Sequence, residues 1–279
     1  MNPCLILLLV FLSAGAVFLL YGFFLEPRWI RTRVFPLPAA GPESEGKRIL
    51  YFSDLHTGAS TTRSKLDRQM RAIMKMKADA IFFGGDLVEE KTPLRDPAFR
   101  AMVIDALSSL QAPLGKWAVF GNHDVEAPRF RAWVSGVLDQ AGFTLLENRG
   151  IELAGIPVWG FANTHHGVPC LDHEAVGQLA DQAQGDPFVL FLVHESDWFP
   201  LVMPWQGKGL ILTGHSHYGQ VTLFGLPLIR PAGAKKYWRG RYDLGDHLSM
   251  LVSAGLGTVH IHARFFARPD LLLLRFGKK

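Results

Sequence analysis

The sequence predicts a layered α/β domain with mixed sheets, carried behind one N-terminal apolar segment. Three observations predict it. The apolar excess is lopsided: the 279 residues are 48% apolar with a mean hydropathy of +0.14. Residues 1–25 alone hold about 20 of those apolar side chains, and without them the body has the composition of an ordinary globular domain. From residue 47 onward, short apolar runs alternate with segments of helical spacing, as in βα units. Toward the C-terminus the apolar runs follow one another directly, which points to mixed rather than purely parallel sheets.

The N-terminal segment comes first. Pro3 to Leu25 carries no charge, and at 1.5 Å per helical residue it reaches roughly 34 Å, enough for a hydrocarbon core of about 30 Å. A cleaved signal peptide is the rival reading, because Ala14-Gly15-Ala16 resembles a small-residue cleavage site. Against it, no Lys or Arg precedes the run, and cleavage there leaves Val17 to Leu25 as an apolar stump. The expected organisation is a transmembrane anchor over 1–27, a juxtamembrane strand or linker over 28–46, and one domain over 47–279. Arg28, Arg31 and Arg33 follow the span. The positive-inside rule therefore predicts a single-pass protein of the cytoplasmic (inner) membrane whose domain faces the cytoplasm.

Composition narrows the class further. The 20 Phe and 7 Trp exclude a disordered chain, and the lack of a second long apolar run excludes a polytopic membrane protein. Cys4 and Cys170 cannot form a disulfide framework, and without a Cys-x-x-Cys pair any metal must be held by His, Asp and Asn. The formal charge is +4. Its excess sits at Arg28, Arg31 and Arg33 and in the stretch 230–241, which holds Arg230, Lys235, Lys236, Arg239 and Arg241 with no acidic residue. Such clusters suit an anionic lipid or a phosphate-bearing substrate; no nucleic-acid reader motif is present, and nucleic acid is not expected as a partner.

Within the body, Arg31 to Leu37 alternates and the Pro/Gly-rich residues 38–46 read as a linker or hairpin loop. Strands are expected at Arg48–Ser53, Ala80–Phe83, Trp117–Phe120, Pro157–Phe161, Phe188–Val193, Leu210–Thr213, Gln220–Phe224, Leu248–Ser253 and Leu271–Phe276. Helices are expected at Ser64–Met76, Pro97–Leu110 and Arg129–Leu138.

Five polar clusters each follow an apolar strand: Ser53-Asp54-Leu55-His56, Gly84-Gly85-Asp86, Gly121-Asn122-His123-Asp124, His194, and Gly214-His215-Ser216-His217. Strand ends of open α/β sheets are where ligands bind, because several loops converge on one rigid rim. Every cluster offers a carboxylate, an imidazole or an amide, a donor mixture suited to Mn, Fe, Zn or Mg. Asp54 and His56, like His215 and His217, are spaced to reach one ion from adjacent positions, and Asp86 is placed to bridge two ions. Any one of these residues alone is more often a turn or a cap; five in succession, each after a strand, are a far less common coincidence.

Asp-x-His, Gly-Asp, Gly-Asn-His-Asp, a lone His and Gly-His-x-His, in this order, resemble the calcineurin-like metallophosphoesterases over roughly residues 47–276. The resemblance is closest to the membrane-anchored branch with the YkuE- and YaeI-type phosphodiesterases and a UDP-2,3-diacylglucosamine pyrophosphatase. It extends to Gly219-Gln220, Gly255-Leu256-Gly257 and Arg264-Phe265-x-x-Arg268-Pro269. It implies a four-layer αββα sandwich with a dinuclear centre of divalent ions, manganese favoured. Carried over by residue, Asp54, His56 and His217 hold one ion, Asn122, His194 and His215 the other, and Asp86 bridges. His123 then contacts the reacting phosphate and Asp124 orients it. The chain departs from the pattern at Tyr218, where Gly is frequent and a narrower site is expected, at Ser196 for Pro, and at Glu89 for Asp.

The implied chemistry is hydrolysis of a phosphodiester or pyrophosphate, in which two dications neutralise the anionic oxygens and acidify a water, and His123 acts as an acid worth about 10²- to 10⁴-fold. An anchored domain favours a lipid-linked substrate, with UDP-2,3-diacylglucosamine, cleaved to UMP and a lipid monophosphate (lipid X) in lipid A synthesis, as the leading reading. A broader phosphodiesterase or phosphatase and a non-catalytic membrane scaffold are the alternatives. Trp198, Phe199, Leu201, Val202, Met203 and Trp205 either border the site and hold an acyl chain or pack as core. Lys235, Lys236, Arg239 and Arg241 either meet a diphosphate or form a solvated loop. His165 and His166 are expected at the surface, and His173, His247, His260 and His262 carry no assigned role.

Overall fold

Two six-stranded sheets stack face to face, with helices outside each, in a computed structural model that describes residues 2–182, 188–199, 205, 207–245 and 247–277. The first sheet runs β1 (Arg31–Leu37), β14 (Asp270–Phe276), β2 (Arg48–Phe52), β3 (Ala80–Phe83), β4 (Gly115–Ala118) and β5 (Thr144–Leu145). The second runs β12 (Gly240–Asp243), β13 (Leu248–Val252), β9 (Lys208–Thr213), β8 (Phe188–Leu192), β7 (Ile156–Gly160) and β6 (Arg149–Leu153). Both mix parallel and antiparallel pairs: β2, β3, β4 and β5 are parallel, whereas β14 meets β2 antiparallel.

The strands read as unbroken apolar runs because both of their faces are covered. In β2, Leu50 and Phe52 face the helices α2 (Arg63–Met74), α3 (Pro97–Ser108) and α5 (Pro128–Gln140), while Ile49 and Tyr51 face the other sheet. In β8, Leu190 and Leu192 point between the sheets, and Val189 and Phe191 point out toward α6 (His173–Gln182). The result is the four-layer αββα sandwich that the resemblance implies. Each fully buried Leu or Phe contributes about 1.5–3 kcal/mol.

Several expectations shift. The strand expected at Gln220–Phe224 is only β10 (Thr222–Leu223), paired with β11 (Leu226–Pro227) in a two-stranded hairpin. Gln220 takes a left-handed φ of 49°, which ends any strand before it starts. The third strand lies two residues earlier than expected, at Gly115–Ala118. Helix α6 and strands β6 and β12 were not expected; β12 (Gly-Arg-Tyr-Asp) is a polar edge with little apolar signal.

The N-terminal helix α1 (Pro3–Leu20) is followed by a wider π turn at Tyr21–Leu25 and a 3-10 turn at Glu26–Arg28. Pro3–Arg28 is long and apolar enough to span a bilayer, and the span is unburied by the rest of the chain. Its end nonetheless docks on the domain. Glu26, fully buried, accepts from the Phe266 and Ala267 N–H groups at 2.8 and 2.6 Å, and the Gly22 carbonyl accepts from Arg264 N–H at 2.9 Å. A Cβ on Gly22 would lie 2.0 Å from the Phe265 ring, so a side chain there would prevent this approach. Strand β1 then pairs with β14 along its whole length at the edge of the first sheet.

Candidate metal centre

The loops that leave the C-terminal ends of β2, β3, β8 and β9, with the short helix α4 (Asn122–Val125) shortly after β4, meet at one rim of the sandwich. The chain must reverse abruptly there, and the backbone shows it. Asp54, His56, Asp86, His215 and His217 all have positive φ, between 44° and 65°, a conformation that is costly for residues other than Gly and persists where surroundings over-determine it. Gly121 permits a close approach: a Cβ on it would sit 2.1 Å from Asp86 Oδ1.

The seven expected donors are brought together. Asp54, His56 and His217 offer atoms that all lie within 4.8 Å of one another, as do Asp86, His194 and His215. Asp86 Oδ2 stands between the two groups, 3.5 Å from His56 Nε2 and 3.1 Å from His194 Nε2. Asp54 Oδ1 is 3.5 Å from His217 Nε2 and accepts from His215 N–H at 3.0 Å. Asn122 lines the same cavity, and its Oδ1 is buried without a hydrogen-bond partner.

The donor set fits divalent ions on the chemistry of its nitrogens. His56 Nδ1 faces the Val88 carbonyl (3.2 Å), His194 Nδ1 the Gly84 carbonyl (2.7 Å) and His215 Nε2 the Ala232 carbonyl (2.7 Å). A carbonyl only accepts, so each of those nitrogens carries the proton and the other ring nitrogen is left with a lone pair. His56 Nε2 faces His217 Nε2 at 3.0 Å. Since His217 Nδ1 lies 3.4 Å from the Arg264 guanidinium, a donor only, the one proton between the two rings sits on His217 Nε2, where a cation would replace it. His194 Nε2 lies 3.1 Å from Asp86 Oδ2 yet makes no hydrogen bond.

Electrostatics agrees for His56, His215 and His217, whereas for His194 burial acts downward but Asp86, Asp54 and Glu195 outweigh it and hold the imidazole well above its ordinary value. Burial holds the His56 imidazole down at about 3 and His215 at about 4, and holds His217 well below its ordinary value, with neighbouring His123, His194 and His56 adding to the effect. Neutral imidazoles are the metal-binding form. Burial pushes the Asp54 carboxyl up to about 6. For Asp86 burial acts upward too, but His194, His123 and His56 outweigh it and hold the carboxyl well below the usual range. A dication placed among these groups replaces the shared protons with charge of the same sign.

Asp124 plays a different part from the one expected. Its carboxylate does not orient His123. It accepts from the N–H groups of Gly121 (2.9 Å), Asp86 (2.8 Å), Leu87 (2.8 Å) and Val88 (3.3 Å), and so ties the two loops carrying Asp86 and Asn122 together. Burial, reinforced by the Asp86 charge, pushes the Asp124 carboxyl up to about 7. The group beside His123 is Glu126, whose Oε2 lies 3.6 Å from His123 Nδ1. His123 itself lines the cavity and stacks edge-on against His56, ring centroids 5.2 Å apart.

A cavity of about 460 Å³ opens over the donors. Its far wall is aliphatic: Val221, Leu228, Ile229, Val259 and Ile261. Among the described residues no lysine or arginine lines it, and Arg241 belongs to the opposite rim, beside Asp243 and His247. Tyr218 does not narrow it. That ring is turned into the packing, donating to the Val252 carbonyl at 2.9 Å and hydrogen-bonded by Arg33. Of the apolar stretch after His194, Trp198, Phe199 and Trp205 belong to the core beneath the second sheet rather than to the cavity wall; Leu201, Val202 and Met203 lie outside the described residues.

Four residues in or beside the site carry no assigned role in the sequence reading. His165, expected at the surface, and His260, given no role, both line the cavity; His165 follows strand β7, the same strand-end signal as the other clusters. Buried Glu195 accepts from the Asn163 amide. Arg264, fully buried, donates to the carbonyls of Ala254, Gly255, Gly257 and Ala267 and lies 3.4 Å from His217 Nδ1. It joins the Gly255–Gly257 loop to the segment on which the anchor docks.

Known proteins resemble this chain in sequence. The chain is 31% identical over 260 residues to the uncharacterized metallophosphoesterase YkuE of Bacillus subtilis (strain 168), covering 90% of this chain and 87% of that one. A transmembrane protein with metallophosphoesterase domain from Danio rerio is 26% identical over 251 residues, covering 82% of this chain but 53% of its own. Among solved structures, a dimetal phosphatase from Danio rerio aligns with 78% of this chain and 91% of its own, at 11% identity and a TM-score of 0.46. The model of the calcineurin-like phosphoesterases matches residues 47–219, a span that includes all seven donors. The chain belongs to that family.

Proposed function

We propose that this protein is a membrane-bound hydrolase of amphiphilic phosphodiesters or pyrophosphates, with UDP-2,3-diacylglucosamine as the leading substrate and UMP and a lipid monophosphate as products. The coarser activity follows from the family, which hydrolyses phosphoesters at a dinuclear divalent metal centre. The observation that carries the finer reading is the cavity itself: imidazoles and carboxylates on one wall, Leu228, Ile229 and Ile261 on the other, behind an apolar helix long enough to span a bilayer.

In this reading Asp54, His56 and His217 hold one ion and Asn122, His194 and His215 the other, with Asp86 shared, manganese being the favoured metal. When bound, the ions neutralise the phosphate oxygens and acidify the attacking water. The chain's own groups do the rest. His123 contacts the reacting phosphate and supplies a proton to the departing oxygen, with its ring held beside Glu126. Asp124 fixes the distance between the Asp86 and Asn122 loops. The aliphatic wall keeps water from the far side and receives the apolar part of the substrate. We place the domain on the cytoplasmic side, since Arg28, Arg31 and Arg33 follow the span.

The lack of lysine and arginine among the described residues that line the cavity favours a second reading, a phosphodiesterase of broader specificity. A nucleoside diphosphate is ordinarily held by cations or by backbone N–H groups at a helix N-terminus. Purified protein given UDP-2,3-diacylglucosamine with Mn and assayed for UMP separates the two. UMP release supports the first; its absence alongside metal-dependent hydrolysis of bis-p-nitrophenyl phosphate leaves the second.

A further inference from the structure

The hairpin β10–β11 carries the most exposed apolar surface of the described domain. Leu223, Phe224, Leu226, Leu228 and Ile229 are each exposed, Phe224 at 82% and Ile229 at 77%. Surface this apolar and contiguous marks a contact with another apolar phase. Its position says which. Phe224 packs on Phe266 with ring centroids 5.6 Å apart, and Phe266 in turn meets Phe18 (6.2 Å) and Tyr21 (6.4 Å) of the N-terminal span. Tyr21 precedes Arg28, the first basic residue, by about two helical turns, or about 10 Å along the axis. A side chain level with Phe18 and Tyr21 is therefore below the level at which the span leaves the hydrocarbon.

Sheet topology brings the span to the same rim. Strand β1 is parallel to β14, and β14 is antiparallel to β2, with Arg31 opposite Asp270 and Leu272 opposite Tyr51. The chain thus enters the domain level with the C-terminal end of β2, the end from which Asp54 and His56 project. The border between apolar and aqueous phases is also marked. Exposed Trp29 lies under the Arg268 guanidinium, 3.8 Å from ring centroid to Cζ, and Ile229 is followed at once by exposed Arg230. Tryptophan and arginine are the residues that settle at a lipid headgroup layer.

We propose that the tip of this hairpin inserts into the same bilayer leaflet that the N-terminal helix leaves, so that the cavity, whose wall includes Leu228 and Ile229, opens at the lipid surface. The proposal rests on the helix being a membrane span. The partner is the bilayer itself; it needs no further protein and holds whichever phosphoester the site cleaves.

The test uses the full chain with Cys4→Ala and Cys170→Ala as background, reconstituted in phosphatidylcholine–phosphatidylglycerol vesicles. Single cysteines at Phe224→Cys and, separately, Leu226→Cys are labelled with an environment-sensitive fluorophore. Leu12→Cys in the span and Gln111→Cys at the opposite rim serve as references. The expected result is quenching of the Phe224→Cys and Leu226→Cys labels by nitroxide-bearing lipid, with iodide quenching several-fold weaker than at Gln111→Cys. Both positions are exposed, so if one substitution perturbs folding the other still reports. Labels at both hairpin positions as open to iodide as Gln111→Cys, while Leu12→Cys is in lipid, would overturn the proposal and leave the anchor intact. A Leu12→Cys label in water would overturn both.

Discussion

In the proposed mechanism Asp86 and His123 concentrate the chemistry, and their variants are expected to fail differently. Replacing Asp86 by Ala removes the carboxylate oxygen that stands 3.5 and 3.1 Å from the two histidine clusters. We expect metal content and hydrolysis of bis-p-nitrophenyl phosphate both to fall to background, as read by elemental analysis and initial rates. His123→Ala leaves the donors in place, so metal content is retained while kcat falls about 10²- to 10⁴-fold; an unchanged kcat removes His123 from the mechanism. Asp124→Asn keeps the shape but sets an amide N–H against backbone donors. We expect a loss of about 1–3 kcal/mol for each buried partner left unpaired, visible as a lower Tm. The five polar clusters that hold the candidate donors were legible because each follows an apolar strand; which residues in them are donors is what the family resemblance implies. The role of Asp124 was not legible, because its four partners lie on two loops separated by about three dozen residues and only the fold joins them. Arg264 stood out in the sequence as part of a motif, but its role did not, because its acceptors form a loop that no periodicity describes.

Elements that bury both faces were readable, and of the edge strands only β1 showed, by its alternation. Strands β2, β3, β8 and β14 carry so many apolar residues that at most their boundaries moved, whereas β6 and β12 are edge strands with partly exposed side chains. The short hairpin β10–β11 was read as one strand because its apolar residues, which usually signal a core, here face outward. The loops have little tolerance. A Cβ at Gly121 would lie 2.1 Å from Asp86 Oδ1, so Gly121→Ala should move the Asp86 and Asn122 loops apart and cut activity more than it lowers Tm. Measured side by side, equal losses in both would indicate a purely structural glycine. At the other end of the same assembly, Glu26→Ala strips the acceptor from two buried N–H groups. We expect a looser junction between anchor and domain, detected as faster limited proteolysis around residues 26–31.

Taken whole, the molecule is a two-sheet sandwich whose candidate metal rim and candidate membrane span share one end. The formal charge of +4 counts Asp54 and Asp86 as free carboxylates; two dications over them make the rim distinctly more positive, which suits an anionic substrate. Binding to the folded state alone also stabilises it, by about 2.7 kcal/mol at a hundredfold excess over Kd, so chelation should lower Tm and readdition of Mn should restore it. A reporter fused after the last residue and active only in the cytoplasm would agree with the positive charges that follow the span. The central claim is that the buried His/Asp/Asn cluster is a dinuclear hydrolytic centre. It is tested most directly by stripping the full-length protein of metal, titrating Mn back, and following hydrolysis of bis-p-nitrophenyl phosphate against bound metal. The account predicts no activity in the stripped protein and a rise that completes only when a pair of ions is bound per chain, with Asp86→Ala silent throughout. Full activity without metal, or undiminished activity in Asp86→Ala, would contradict it.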